Sequence, residues 1–154
     1  MAIQASIKSN SKLISKKFKH LESKLPRIID KGLKQAGFQL LDIIRTKTQK
    51  GQDFRGRPFA PYSQGYLKHL TKEGKPTRVD LFNTGRMLGS LTPSSTVKPS
   101  GKNKVSLAFS NGQMRQRALF NQVLGKNKRE FFGFNSRTEK IISKQFNRLS
   151  LIHI

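Results

Sequence analysis

The chain has 154 residues, no cysteine, and 31 Lys plus Arg against eight Asp plus Glu, which gives a formal net charge of +23. The lack of cysteine excludes disulfides and thiol chemistry. No apolar run approaches the ~18–20 residues of a membrane span. Residues 1–10 lack the apolar block of a secretory signal. A charge of this size attracts polyanions such as nucleic acid, an anionic membrane or an acidic protein surface. We therefore expect a soluble protein that is made in the cytoplasm and does not contact a membrane.

The first half of the chain has the pattern of a long helix. Residues 1–12 are rich in Ser and Lys, and we expect them to form a mobile basic arm. From Leu13 the apolar residues recur at helical spacing, which predicts helix over about residues 13–47. Pro26 interrupts this pattern, and it either kinks one long helix or lies early in a second helix capped near Ser23.

An extended loop and two short helices are predicted next. Residues 48–62 are dense in Gly and Pro, which is typical of a loop without regular structure. Ser63 and Thr84 are each expected to cap a short helix, because their hydroxyl groups accept hydrogen bonds from the first helical turn. A second loop at residues 71–76 separates these helices. Their apolar positions are Tyr66, Leu67 and Leu70 in the first helix and Met87, Leu88 and Leu91 in the second.

A β-hairpin is predicted after the short helices. Residues 91–98 are rich in Thr, Ser and Val, and residues 99–103 have the composition of a turn. Val105, Leu107 and Phe109 then alternate with polar residues, as in a half-buried strand.

The end of the chain is predicted to be helical. Asn111 and Gly112 break the strand pattern, and residues 118–124 form a short apolar segment. Residues 136–139 read Ser-Arg-Thr-Glu, a capping-box pattern that predicts the start of a last helix. The apolar side of that helix has Ile141, Ile142, Phe146 and Leu149. The order of elements predicts an α+β fold: a long N-terminal helix or helix pair packed on a small antiparallel β-sheet, with a C-terminal helix, forming a single domain over residues 13–150.

Catalytic chemistry finds no support in the sequence. The carboxylates are scattered, with no spacing typical of a paired acid and base. His20, His69 and His153 have no His or Cys at metal-ligand spacing, and we expect them on helix surfaces or in the C-terminal tail. No nucleophile elbow or phosphate-binding loop is present. We therefore expect a protein that is not an enzyme and has no cofactor or metal.

Non-specific nucleic-acid binding has more support, from the charge and from a segment where aromatic residues lie close to basic ones. The basic run 126–129 is followed by Phe131, Phe132 and Phe134, as in surfaces that combine stacking with phosphate contacts. The three rings are better explained as core residues that anchor the last helix, because three Phe within four residues are costly to expose together. No motif for sequence-specific recognition is present.

Four short motifs occur in an order found in one group of proteins. They are RGRPFAPYS at residues 55–63, LFNTGRMLGSL at 81–91, ALFNQVLG at 118–125 and REFFGFN at 129–135. Over residues 20–148 the chain resembles the virion-morphogenesis and tail-completion proteins of tailed bacteriophages. The second motif is a close match to the L-x-x-T-G-x-L/M-x-x-S-I/L pattern of those proteins.

The resemblance implies a structural subunit at the phage head–tail junction, in the neck or tail end. It would form a homo-oligomeric ring around the DNA channel, between the capsid connector or adaptor and the tail tube or terminator. The expected location is the virion, after synthesis in the cytoplasm of the bacterial host, with only non-specific contact to viral DNA. The alternative is a sequence-independent nucleic-acid-binding protein, which would stay small and bind with a steep salt dependence.

Two groups of residues are expected to make the contacts of such a subunit. Aromatic rings in the 48–62 loop have little to pack against in an isolated chain, so we expect the loop to bind a neighbouring subunit through Phe54, Arg55, Pro58, Phe59 and Tyr62. Residues 81–129 hold nine basic residues and no acid. From this stretch we expect contacts to the DNA channel or an acidic partner through Arg86, Lys102, Lys104, Arg115 and Arg117.

Overall fold

The computed structural model describes residues 11–82 and 84–153. The helices are α1 (Ser11–Gln49), α2 (Gln64–Lys72), α3 (Arg86–Gly89), α4 (Pro93–Thr96), α5 (Gly112–Leu119), which continues as a π-helical turn (Phe120–Leu124), and α6 (Ser136–His153). The strands β1 (Val97–Gly101) and β2 (Lys104–Leu107) form a two-stranded antiparallel sheet. The predicted α+β fold is confirmed. Residues 11 and 12 of the expected mobile arm belong to α1, and the rest of the arm lies outside the described residues.

Helix α1 is one continuous helix of 39 residues, about 58 Å long. It passes through Pro26, so the single-helix alternative is the correct one. Its buried side chains and glycines all lie in the second half and recur at helical spacing: Gly32, Gly37, Leu41, Ile44 and Thr48. The second half of α1 is therefore the central support of the fold, on which the other elements pack.

Two glycines let other elements approach α1 closely. A Cβ atom on Gly37 would lie 2.6 Å from Val97 Cγ1 of the hairpin. A Cβ atom on Gly32 would lie 2.8 Å from the Phe146 ring of α6. Both distances are well below ordinary van der Waals contact, so only glycine fits at these crossings without movement of the neighbour.

The hairpin is shorter than predicted. Val97 pairs with Leu107 and Pro99 with Val105, and the turn falls at Lys102 and Asn103. The strand expected from residue 91 begins only at Val97, because residues 93–96 form α4. Thr92 caps α4 by accepting a hydrogen bond from the Ser95 backbone N–H. Phe109, predicted as the end of the second strand, lies beyond β2.

The core lies where the second half of α1 meets the hairpin, α3, α5 and the loops. Leu41 and Ile44 of α1 are buried there together with Leu88, Leu91 and Phe131. The core interpretation of the aromatic run is confirmed for Phe131, while Phe132 is half-buried and packs against the core. It is wrong for Phe134, which is exposed.

Of the three predicted capping residues only Ser63 is confirmed, although the helix predicted to start at residues 136–139 is present. Ser63 Oγ accepts a hydrogen bond from the Tyr66 backbone N–H. Thr84 does not cap α3, because that helix begins after Gly85, which has a left-handed backbone (φ 68°) and makes no side-chain cap. The last helix is capped one residue earlier than the capping box predicts: Asn135 Oδ1, 3.0 Å away, accepts from the Thr138 backbone N–H.

Helix α5 was not predicted. Asn111 and Gly112 do end the strand pattern, but they also begin this helix, since Asn111 Oδ1 accepts a hydrogen bond from the Met114 backbone N–H. The predicted apolar segment at 118–124 is the end of α5 and the π-helical turn. Among the described residues, no helix is long and apolar enough to cross a membrane.

Candidate functional site

The loop between α1 and α2 is held in a defined turn by its own residues. Gln52 and Pro58 pair as an isolated antiparallel bridge. The buried Asp53 carboxylate accepts hydrogen bonds from the backbone N–H of Arg57 (2.8 Å) and from its Nε (2.9 Å). Burial raises the pKa of Asp53, but the hydrogen bonds and the charge of Arg57 outweigh it, so the net pKa is lowered from 3.8. The segment between α1 and α2 is thus a loop without a regular helix or strand, as predicted, and it is held in place by contacts within the chain.

The same loop is tied to residues far along the chain. The Phe54 backbone N–H donates to Glu130 O (2.9 Å), and the Arg55 guanidinium pairs with the Glu130 carboxylate at 2.8 Å. The Phe54 carbonyl oxygen accepts from Lys47 Nζ of α1 at 2.9 Å and from Asn135 Nδ2 at 3.2 Å. These contacts fix the loop between the end of α1 and the 129–135 segment.

The five loop residues expected at a subunit interface differ in how far they are exposed. The idea that their rings lack partners inside the chain is wrong for Phe59, which is 8% exposed and belongs to the core. Phe54 is half-buried next to Gly133, and Tyr62 is half-buried against the core. Arg55 and Pro58 remain exposed. Any contact of this loop with a neighbour would therefore be made by its exposed edge and not by the Phe59 ring.

The four motifs singled out in the sequence meet around one open cavity of about 480 Å³. The 55–63 motif contributes Tyr62, and the 81–91 motif contributes Leu81, Thr84, Gly85 and Met87. The 118–125 motif contributes Phe120 and Asn121, the 129–135 motif contributes Arg129, and Arg117 of α5 completes the lining. Segments that are far apart in the sequence thus build one site.

Arg129 is held at the cavity wall by neutral groups. Its Nε and Nη2 atoms each donate to Ala60 O at 3.4 Å, and its guanidinium lies 5.1 Å from the centre of the Tyr62 ring. Burial raises the pKa of Tyr62; the charge of Arg129 offsets this effect only in part and the charge of Asp80 adds to it, so the phenol stays neutral. Among the described residues, none that lines the cavity is acidic, and the carboxylate with an effect on the pKa of Tyr62 is that of Asp80. The cavity therefore presents the positive charges of Arg117 and Arg129 without a carboxylate in its lining, a setting that favours an anionic group.

The five basic residues expected to contact DNA or an acidic partner are all exposed, but the structure divides them into two groups. Arg117 lines the cavity, Arg115 lies on the same helix, and Arg86 begins α3, which packs on α5. Lys102 and Lys104 lie instead in the hairpin, at its turn and in β2. Arg129 was not predicted as a site residue, although its position at the start of the fourth motif could have indicated that it belongs to the site.

The arrangement offers no constellation for metal binding. Within residues 11–82 and 84–153, no group of three or more His, Asp or Glu side chains lies close enough to hold a metal ion. His20 and His69 are exposed on helices, as expected, and His69 lies 3.2 Å from the Glu73 carboxylate. The side chain of His153 is outside the described part.

Comparison with known proteins gives no relative: no family model, curated protein or solved structure matches the chain.

Proposed function

We propose that the chain is a structural subunit of a tailed-phage head–tail junction, which forms a ring between the capsid connector and the tail and has no catalytic role. The observation that carries this proposal is the cavity at which all four motifs of the phage resemblance meet. Motifs that were short and separate in the sequence contribute to one surface feature, as expected if they serve one function.

The rim of the cavity has the properties of a docking surface. Phe120, which lines the cavity, is 61% exposed, and its neighbours along the helix, Leu119, Val123 and Leu124, are also exposed. Exposed apolar side chains close in sequence to the cavity arginines fit a partner surface that carries an acidic group amid apolar contacts. In the ring, the partner is a neighbouring copy or an adjacent connector or tail protein.

The net charge of +23 also fits a ring around DNA. Copies of such a subunit repel one another at close range unless anions compensate, because screening at physiological salt reaches only about 8 Å. Phosphates of the enclosed DNA, or an acidic neighbouring ring, supply those anions. Contacts to phosphates carry no sequence information, so any binding to DNA is expected to be sequence-blind.

The assembly is tested by electron microscopy and mass spectrometry of phage particles, together with light scattering of the purified chain. We expect the chain in the particle at the head–tail junction and a ring-sized species in solution, alone or with a virion partner. A strictly monomeric chain that is absent from particles would overturn the proposal. A monomer that binds DNA with a steep salt dependence would support the nucleic-acid-binding alternative.

The cavity is tested by two matched pairs of charge-neutralising substitutions, all at exposed positions. Arg115→Gln with Arg117→Gln removes two charges from α5 beside the cavity, whereas Lys102→Gln with Lys104→Gln removes two charges from the hairpin. We expect the first pair to impair particle completion and the second to leave it nearly unchanged, with both proteins folded by circular dichroism. The reverse result would place the basic contact at the hairpin and remove the cavity from the proposal.

A further inference from the structure

The N-terminal part of α1 carries a row of apolar side chains that nothing in the described chain covers. Ile14, Phe18, Leu21 and Leu25 are 52%, 66%, 37% and 44% exposed, respectively. They follow one another at intervals of four, three and four residues, so they lie along one side of the helix. We refer to these four residues as the α1 seam.

The spacing of the α1 seam is that of a helix–helix contact. Alternating steps of three and four residues produce a narrow apolar line with a period of 3.5, which is the pattern of a coiled-coil interface. The same line continues to Ile28 and Gly32, and at Gly32 it contacts another helix, through Phe146 of α6. The seam is thus the uncovered continuation of a helix contact that the fold already uses.

The described part of α6 does not reach the N-terminal end of the seam. Phe18 lies 14 residues from Gly32, or about 21 Å along the helix axis. From Phe146, the described residues of α6 run seven positions to His153 and ten positions to Ser136, which is at most about 15 Å in either direction. Phe18 and Ile14 therefore lie beyond the described residues of α6, in agreement with their exposure.

The charges around the seam select the kind of partner. Within residues 11–28 the only acid is Glu22, against six basic residues, which are Lys12, Lys16, Lys17, Lys19, Lys24 and Arg27. Two copies of this segment would bring like charges together, which disfavours self-pairing. Lys17 and Lys24 immediately precede the seam residues Phe18 and Leu25, in positions that contact acidic residues of a partner helix in coiled coils.

We propose that the α1 seam docks an acidic amphipathic helix of another protein, with apolar residues at 3.5-residue spacing flanked by Glu or Asp. A membrane surface fits less well, because interfacial helices use a broad apolar face and not a narrow line. Nucleic acid fits less well, because phosphate binding does not require a row of apolar side chains. The seam is independent of the ring proposed above, since it involves only residues 11–32.

The test uses the full chain and three synthetic helical peptides in isothermal titration calorimetry. All three have Leu and Ile at the core positions of four heptads, and they carry Glu, Gln or Lys at the flanking positions. We expect the Glu peptide to bind at least about tenfold more tightly than the Gln peptide. In the variant Phe18→Ser with Leu21→Ser, binding of the Glu peptide should fall by about tenfold or more.

Phe38→Ser is the matched control, because Phe38 is also an exposed Phe on α1 but lies outside the seam. It should leave peptide binding unchanged. As a second variant that does not alter the apolar line, Lys17→Glu with Lys24→Glu should reverse the preference, so that a Lys-flanked peptide binds better than the Glu peptide.

Several results would overturn the proposal. These are equal binding of the Glu and Gln peptides, no binding of either peptide, or binding unaffected by the seam variant. Self-association in sedimentation that the seam variant abolishes would identify a second copy as the occupant. Seam-dependent binding to phosphatidylglycerol vesicles without peptide binding would identify a membrane surface.

Discussion

The crossing of the hairpin over α1 at Gly37 makes a sharp prediction for stability. The change is Gly37→Ala, which adds one methyl group at a buried position. The new Cβ atom would lie 2.6 Å from Val97 Cγ1 and 3.3 Å from Val105 Cγ1. An ordinary contact between carbon atoms is about 3.5–4.0 Å, so Val97 would have to move by about 1 Å. Val97 is buried and β-branched, and it has little freedom to do so.

The expected net effect follows from two opposing contributions. Overpacking of a tight core contact costs up to about 3 kcal/mol. Replacing Gly with Ala inside a helix stabilises the folded state by about 1 kcal/mol, because Ala has the higher helix propensity. The free energy of unfolding should therefore fall by about 2 kcal/mol, which corresponds to a decrease in Tm of about 4–8 °C for a chain of this size.

The measurement is urea unfolding of the purified chain, followed by circular dichroism. Gly65→Ala is the control, because Gly65 lies in α2 with open space around the added methyl group, and it should be neutral or stabilising by up to about 1 kcal/mol. Gly32→Ala should cost less than Gly37→Ala, because the half-buried Phe146 ring can turn aside. A Gly37→Ala protein as stable as the Gly65→Ala protein would show that the hairpin does not pack on α1 as described.

Two further predictions concern the loop between α1 and α2. Phe59→Ala should lower the unfolding free energy of the isolated chain by about 3 kcal/mol, since it removes a buried ring. Phe54→Ala should lower it by less, because Phe54 is only half-buried. If urea unfolding shows that the Phe59→Ala monomer is as stable as the wild type, the Phe59 ring contacts another molecule instead. Because the pKa of Asp53 is lowered in the folded chain, its ionised form stabilises the fold at pH values above its ordinary pKa of 3.8, and this contribution is lost as pH falls through the folded pKa. The difference in unfolding free energy between the wild type and Asp53→Asn should therefore shrink as the pH is lowered from neutral through the folded pKa, and a difference independent of pH would contradict this role.

The elements with strong local signals were predictable from the sequence. The apolar spacing of α1 extends over many turns, and Ser63 precedes α2 with no competing cap, so both helices were found. The alternation at Val105 and Leu107 located β2 for the same reason. The loss of one hydrogen bond at Pro26 was insufficient to divide α1, and no local signal could have decided that alternative.

Errors occurred where backbone geometry or distant contacts decide the outcome. Thr84 has the chemistry of a cap, but the left-handed backbone of Gly85 starts α3 one residue later. Phe59 was expected at an interface because its sequence neighbours are Gly and Pro, whereas its actual neighbours are core residues distant in sequence. The cavity was not predictable for a similar reason. Each motif could be recognised in the sequence, but the cavity forms only where loops from distant parts of the chain pack together.

The ties between the loop and the 129–135 segment determine when the cavity can exist during synthesis. Arg55 and Glu130 are 75 residues apart, and Phe54 and Asn135 are 81 apart. Chains emerge from the ribosome with the N-terminus first, so α1 and the loop are exposed long before their partners appear. Arg129, which forms part of the cavity wall, arrives with the same late segment. A chain that ends before this segment therefore lacks part of the cavity wall, and under the proposed function it could not replace a subunit that contains the segment.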